Sequence, residues 1–256
     1  MSTRWNDIFQ LPDAALAGGK RVPKTMLVSQ AALTKHEQKT LDKMKRLEHF
    51  ATATKATTRI LPRVDEERDI QSVIFLRCEM AGTSQAVAEV AHLVHKCFPN
   101  PTVIMQDVGD KICVSVSLTR KSHAERGATV MEAVESTGLF DGKAPEWQPF
   151  LDAIAYPMLP QRDLYEYLRA MASDVMLSRA IDALGFYPQA RAGDQKRILV
   201  LVNRYDVVRS EVRQLYEQRN GPNVTLNESA KLRMRIRKAE NQQNAILDEI
   251  KELCNG

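Results

Sequence analysis

The sequence predicts an α+β protein: an antiparallel sheet with helices on one face, then a helical C-terminal region ending in an antiparallel coiled-coil hairpin. Three observations carry that expectation. Between residues 70 and 135, apolar residues come as short runs or in strict alternation, punctuated by Gly and Pro. After Gly142 the strand signals stop, and apolar residues recur every three or four positions. The final stretch holds two long stripes of this kind, Ile198 to Leu215 and Leu232 to Leu253, separated by Gly221-Pro222-Asn223. The expected divisions are an α+β domain with an irregular N-terminal arm (1–141), a helical connector (142–190) and the hairpin (191–256).

In chain order, Leu11-Pro12, Ala17-Gly18-Gly19 and Arg21-Val22-Pro23-Lys24 read as breakers, so the first thirty or so residues are expected to form an irregular arm. Thr34 with Glu37 is a capping-box pair, and Leu41, Met44, Leu47 and Phe50 continue one apolar face, which predicts a helix. The Thr-rich stretch Ala51–Leu61, ending at Pro62, suits an edge strand or loop, and Arg63–Asp69 a turn. Val73-Ile74-Phe75-Leu76, within Ile70–Met80, is apolar on both faces of a strand. Gly82-Thr83-Ser84 breaks it and caps a helix carrying Val87, Val90, Ala91, Val94 and Cys97, which Pro99-Asn100-Pro101 stops. Thr102–Gln106 is a strand, and Asp107-Val108-Gly109-Asp110 a hairpin turn. Ile112, Val114, Val116 and Leu118 alternate with Cys113, Ser115 and Ser117 as a half-buried strand, and a basic loop leads to a last strand at Thr129–Glu135. Trp147–Tyr156 and Gln161–Leu184 are helical, broken at Pro157 and Pro160 and ended by Gly185. Thr225 with Glu228 supplies a second capping box for the last helix, whose seam contains one polar residue, Gln243.

Hydrophobic residues make up 44% and charged residues 27%, which excludes collagen-like, low-complexity and wholly disordered classes. No apolar run is long enough for a membrane span, and the N-terminus lacks a signal-type stretch, so a cytoplasmic location is expected. The four cysteines form no Cys-x-x-Cys pair, which fits a reducing compartment. The net charge of +4 is small, but it is unevenly placed: residues 1–50 and 191–256 each carry +4, residues 51–150 and 151–190 each −2.

Motifs for catalysis are sparse. Asp107, Asp110 and Lys111 come closest to a metal-dependent nuclease, but they fall in a turn that favours Asp for backbone reasons. Glu89, His92 and His95 recur every three residues, yet metal-binding helices favour i and i+4, and the solvated polar face is the preferred reading. No nucleophile elbow, P-loop or Gly-x-Gly-x-x-Gly occurs. No cofactor is expected. The basic groups say more. Lys231, Arg233, Arg235, Arg237 and Lys238 place five cations within eight residues at the start of the last helix, suited to neutralising phosphates. Arg120, Lys121 and Arg126 form a weaker basic loop, and Lys39, Lys43, Lys45 and Arg46 a weaker basic helix face. Aromatic residues do not interleave with these patches, so base stacking is not indicated.

The chain as a whole resembles a known family. The resemblance rests on Arg21-Val22-Pro23-Lys24 before a helix, the strand–helix–Phe98-Pro99–strand–Asp110-Lys111–strand series, Ser117, Arg120-Lys121 and Ser136-Thr137. It extends to Arg237-Lys238-Ala239-Glu240-Asn241-Gln242-Gln243-Asn244 with Leu247, Ile250 and Leu253. This is similar to an uncharacterised bacterial domain-of-unknown-function family encoded beside SNF2-type helicases and DNA methyltransferases in anti-phage defence islands. Where that family often has a Trp after the Thr at the end of the sheet, this chain has Gly138-Leu139. The resemblance supplies no catalytic residues. It implies an accessory subunit of a DNA-targeting complex, with a helicase or methyltransferase as partner. The expected function is accordingly a non-enzymatic subunit of an antiviral system that binds DNA or a larger partner protein through the basic hairpin. The alternatives are a divergent nuclease using Asp107 or Asp110 and a purely structural protein that forms homo-oligomers through the hairpin.

Overall fold

The computed structural model describes residues 3–82, 86–125, 127–189, 193–222 and 224–255. Where the sequence predicts an irregular arm, a short helix α1 (Thr3–Phe9) buries Trp5 and Phe9, and an edge strand β1 (Leu16–Arg21) follows. The glycines explain the difference. Between Leu16, opposite Ala51, and Lys20, opposite His49, the register shifts, and Gly18 and Gly19 take up the excess at φ values of 68° and 70°.

α2 (Lys24–Gln30) and α3 (Lys35–Leu41) come next, the latter started by the expected Thr34–Glu37 capping box. The predicted helix does not run on to Phe50. Residues Met44–Ala53 form the strand β2 instead. Its register against β5 shifts between Met44 and Arg46 and again between His49 and Ala51. Each bulge inserts one residue, so buried positions fall at Met44, Leu47 and Phe50, a three-residue spacing that mimics a helix.

A helical turn α4 (Lys55–Thr58) and a hairpin of β3 (Arg63–Val64) and β4 (Asp69–Ile70) lead to β5 (Val73–Met80), α5 (Val87–Lys96), β6 (Thr102–Val108), β7 (Lys111–Lys121) and β8 (Thr129–Ser136). The predicted cap at Thr83 and Ser84 lies outside the described residues. The six-stranded order is β1-β2-β5-β6-β7-β8. The sheet is mixed rather than wholly antiparallel. β5 and β6 run parallel, Ile74 opposite Thr102 through to Glu79 opposite Asp107, and α5 makes the crossover that parallel strands require. The β6–β7 turn forms as expected but one residue later, because Asp107 and Val108 remain paired in β6. Gly109 and Asp110 link Val108 to Lys111, with Gly109 at φ 64° as a two-residue hairpin of the II′ kind demands.

Both faces of the sheet are covered, where the sequence predicts one. Leu76 and Cys78 point into a core built with Leu27, Leu41, Val90 and Val94 from α2, α3 and α5. Phe75 points the other way and meets Phe9 edge-on at 5.5 Å between ring centroids. Nor is β7 half-buried: Ile112 to Ser117 are buried on both sides. Beyond the sheet, Phe140 stacks on Trp147 at 3.9 Å and bridges to Ile112 through the backbone. α6 (Gln148–Ala153) and α7 (Leu164–Ser178) follow.

The chain divides into two compact units, Met1–Val175 and Met176–Gly256. The second contains α8 (Ile181–Leu184), closed by Gly185 at φ 78°, then α9 (Gln195–Arg219) and α10 (Leu226–Asn255). Arg197, early in α9, bonds Glu249, late in α10, at 2.6 Å, and Tyr216, late in α9, bonds Glu240 at 2.8 Å. Ile198, Leu201, Tyr205, Val208 and Leu215 of α9 are buried, as are Ile236, Ala239, Ile246 and Ile250 of α10.

Phe9 is fully buried and sits against a central strand. Phe9→Ala is therefore expected to destabilise the first unit by about 3–5 kcal/mol. Urea unfolding followed by tryptophan fluorescence checks this, because both tryptophans, Trp5 and Trp147, lie in that unit.

Candidate functional site

The start of α10 is fixed by reciprocal bonds. The Thr225 amide donates to Glu228 Oε2 at 2.9 Å, and the Glu228 amide donates to Thr225 Oγ1 at 3.3 Å. Lys231, Arg233, Arg235, Arg237 and Lys238 follow, all exposed, with Ile236 buried among them and Ala239 buried directly after. Among the described residues, none of the five has an ion-pair partner. Three of the four acids that follow on α10 are engaged instead: Glu240 with Tyr216, Glu249 with Arg197, and Asp248 with Lys251 at 3.1 Å. Helical spacing sorts the cations. Lys231, Arg235 and Lys238 (i, i+4, i+7) share one side of α10, and Arg233 and Arg237 share the other. Beside the first group lies an open cavity of about 580 Å³, lined by Lys231, Arg235, Gln218, Val224 and Leu232 among others.

The other predicted basic residues are not assembled with these. Arg120 Nη1 donates to the Lys121 carbonyl at 3.0 Å. Lys121 Nζ donates to the Asp65 carbonyl at 2.5 Å, and its amide to the Glu67 carbonyl at 2.8 Å. Both therefore brace the end of β7, Lys121 by tying it to the β3–β4 hairpin. Arg68 completes that brace, donating to the Thr119 carbonyl at 3.0 Å and to Glu132 at 2.8 Å while lying 3.8 Å over the Tyr165 ring. Arg126 lies outside the described residues. The residues Lys39, Lys43, Lys45 and Arg46 are not one helix face, because Lys45 and Arg46 belong to β2, where they pair with Glu79 and Glu48.

The acidic candidates are likewise dispersed. Asp107 Oδ2 accepts from Arg77 Nε at 2.8 Å and from Trp5 Nε1 at 3.3 Å, while Asp110 is exposed in the turn. Among the described residues no group of three or more His, Cys, Asp and Glu side chains is placed to hold a metal ion. Glu89, His92 and His95 do not share a face. Glu89 and His92 are exposed and line a groove of about 590 Å³ with His36, Ser115, Val134 and Ser136. His95 turns into the sheet, where its Nδ1 is 2.5 Å from Thr102 Oγ1 and its Nε2 2.9 Å from Ser115 Oγ. Ser117 Oγ closes the cluster, accepting from the Thr102 amide at 2.8 Å.

Burial, with a smaller contribution from neighbouring His92, lowers the His95 pKa to about 3, so the ring is neutral. Burial also pushes the Cys78 thiol up to about 12, which makes it inert as a nucleophile. Sequence reasoning missed this polar cluster. The available signal was that His95 follows Ala91 by four residues and so shares the apolar side of α5.

These features define the class: an α+β protein with a mixed six-stranded sheet and a helical C-terminal region whose last helix presents unpaired cations. The chain belongs to the DUF4391 family, whose model, described as a domain of unknown function, matches residues 9–242. No curated protein and no solved structure is similar enough to match it. No helix among the described residues is long and apolar enough to cross a membrane.

The neutral His95 gives a pH prediction. From about pH 6.5 downwards the unfolded chain takes up a proton at this ring and the folded chain does not. The stability contributed by the neutral ring is thus full above pH 6.5 and falls as pH drops towards 3, by up to ~1.4 kcal/mol per pH unit. Chemical denaturation between about pH 6.5 and 5, above the carboxylate range, is expected to show this slope in the native protein and a shallower one in His95→Gln, where His49, whose pKa burial also lowers, keeps the remainder.

Proposed function

We propose that this protein is a non-enzymatic accessory subunit of a bacterial antiviral system, contacting duplex DNA through the first half of α10. The observation that carries the reading is the set of five exposed cations at Lys231, Arg233, Arg235, Arg237 and Lys238, none paired with an acid among the described residues. In the sheet unit, by contrast, several basic side chains lie against acids, as in Arg77–Asp107 and Arg68–Glu132. Unpaired guanidinium and ammonium groups along one helix suit a phosphate backbone, where released counterions drive association. α9 and α10 would act as an antiparallel coiled-coil hairpin that presents those groups to the duplex. The antiviral setting and a helicase or methyltransferase partner rest on the family resemblance read from the sequence. The nuclease alternative gains no support from Asp107, whose carboxylate is already bound by Arg77 and Trp5.

A titration of labelled duplex DNA across a salt series tests the proposal. Binding is expected to weaken steeply with salt. Replacing Arg233, Arg235 and Arg237 with Ala is expected to lower affinity at least about tenfold and to flatten the log–log salt slope by about 0.9 for each phosphate left without its cation. Absence of binding at low salt, or an unchanged affinity in the variant, would reject it.

A further inference from the structure

We infer that α10 reads base edges in the major groove of duplex DNA through one stripe of side chains: Ala230, Met234, Arg237, Asn241 and Asn244. The inference rests on the DNA contact proposed above and adds sequence selectivity to it. The stripe recurs at spacings of four, three, four and three, so its five residues share one side of the helix. That side is opposite the buried Ile236, Ala239, Ile246 and Ile250. All five residues are exposed, Met234 at 76%.

The two asparagines are what the fold leaves without a use. Asparagine is a poorer helix former than alanine or leucine, because its amide competes for backbone hydrogen bonds. Asn241 and Asn244 nevertheless stand in the interior of a 30-residue helix, where neither caps an end. Among the described residues, neither amide has a hydrogen-bond partner. Met234 likewise turns an apolar side chain to water.

The charges around the stripe select the occupant. Arg233 borders it on one side, and Lys231 and Lys238 border it on the other. Asp248 continues the stripe and ends it, paired with Lys251. Of the two acids earlier in α10, Glu228 lines a cavity with Arg235 and is bonded to Thr225, and Glu240 is bonded to Tyr216 of α9. A B-form major groove has the complementary layout. Its base edges lie between two rows of phosphates, in a groove about 12 Å wide that admits one helix. Paired bonds join an Asn amide to adenine and a guanidinium to guanine, and Ala or Met meets the thymine methyl. Phosphates alone would satisfy the cations and leave the amides and Met234 idle. From Ala230 to Asn244 the stripe is roughly 21 Å long, about six base-pair steps. Arg237 and Asn241 stand about 6 Å apart along the axis, so a guanine is expected within about two base pairs of an adenine.

The test is selection of bound sequences from a pool of random duplexes by the full chain, followed by fluorescence anisotropy on the selected duplex, an unrelated duplex and heparin. The expected result is an enriched motif containing G and A, bound at least about tenfold more tightly than the unrelated duplex at equal salt. Asn241→Ala with Asn244→Ala is expected to remove that preference, weakening the selected duplex at least about tenfold. The same variant should hold the unrelated duplex and heparin, a polyanion without bases, within about twofold, with an unchanged salt slope, because it removes no charge. Lys231→Ala with Lys238→Ala should instead weaken all three and flatten the slope. These four positions are exposed, and circular dichroism checks that the variants fold. Salt-dependent binding of every duplex with no enriched motif would overturn this inference and leave the DNA contact standing. So would binding of the selected duplex that ignores the asparagine changes, or heparin binding that depends on them. Absence of binding to any duplex at low salt would reject both.

Discussion

A neutral imidazole held between two strands is the constraint on which the sheet unit depends. His95 lies at the end of α5 and meets Thr102 of β6 and Ser115 of β7. At the other end of the helix, Gln106 of β6 donates from Nε2 to the Val87 carbonyl at 3.0 Å. The crossover helix is thus fastened at both ends by polar side chains of the strands beneath it, with Val90 and Val94 packed between. A buried polar group is costly unless its partners are supplied, so Thr102 and Ser115 matter as much as the histidine they bond. Charging the ring would place an unpaired cation in that layer, which is why burial keeps it neutral.

The opposite face of the sheet solves a different problem. Glu48, Arg77 and Asp107, from three adjacent strands, form a half-buried chain of opposite charges, with Arg77 3.5 Å from Glu48 and 2.8 Å from Asp107. Trp5 covers one end of it through its bond to Asp107. Within the slightly acidic middle of the sequence, Asp107 and Glu132 are held by arginines of the sheet unit, whereas the positive C-terminal segment keeps five cations facing water. A total of +4 conceals two regions that use charge in opposite ways, one to close a structure and the other to present a surface.

Much of this architecture is legible in the sequence because local rules act alone there. The β6–β7 turn, the two capping boxes at Thr34 and Thr225, and the long stripes of α9 and α10 each follow from a few adjacent residues. The exposed cations of α10 are legible for the same reason, since charge and helical spacing fix them. Sequence and structure part where a second chain segment sets the pattern. Gly18 and Gly19 look like breakers until β2 is seen opposite them. The alternation in β7 looks half-buried until His95 and Thr102 supply partners for Ser115 and Ser117. The apolar run Val73–Leu76, covered on both faces, is the signature of a strand with a parallel neighbour, and its direction is settled only by the α5 crossover.

The two bulges in β2 bear on how this strand tolerates changes in length. A single extra residue in a regularly paired strand turns every later side chain to the opposite face, unless a bulge sets two residues against one and absorbs it. β2 carries two such bulges, one between Met44 and Arg46 and one between His49 and Ala51. Removing one residue at either would leave the flanking pairs, Met44 with Met80 and Ala53 with Val73, on the faces they occupy. Removing one from the regular run between Arg46 and His49 would exchange inside and outside for the residues beyond it. Single-residue length variation in β2 is therefore expected at these two sites, where the ladder already carries it.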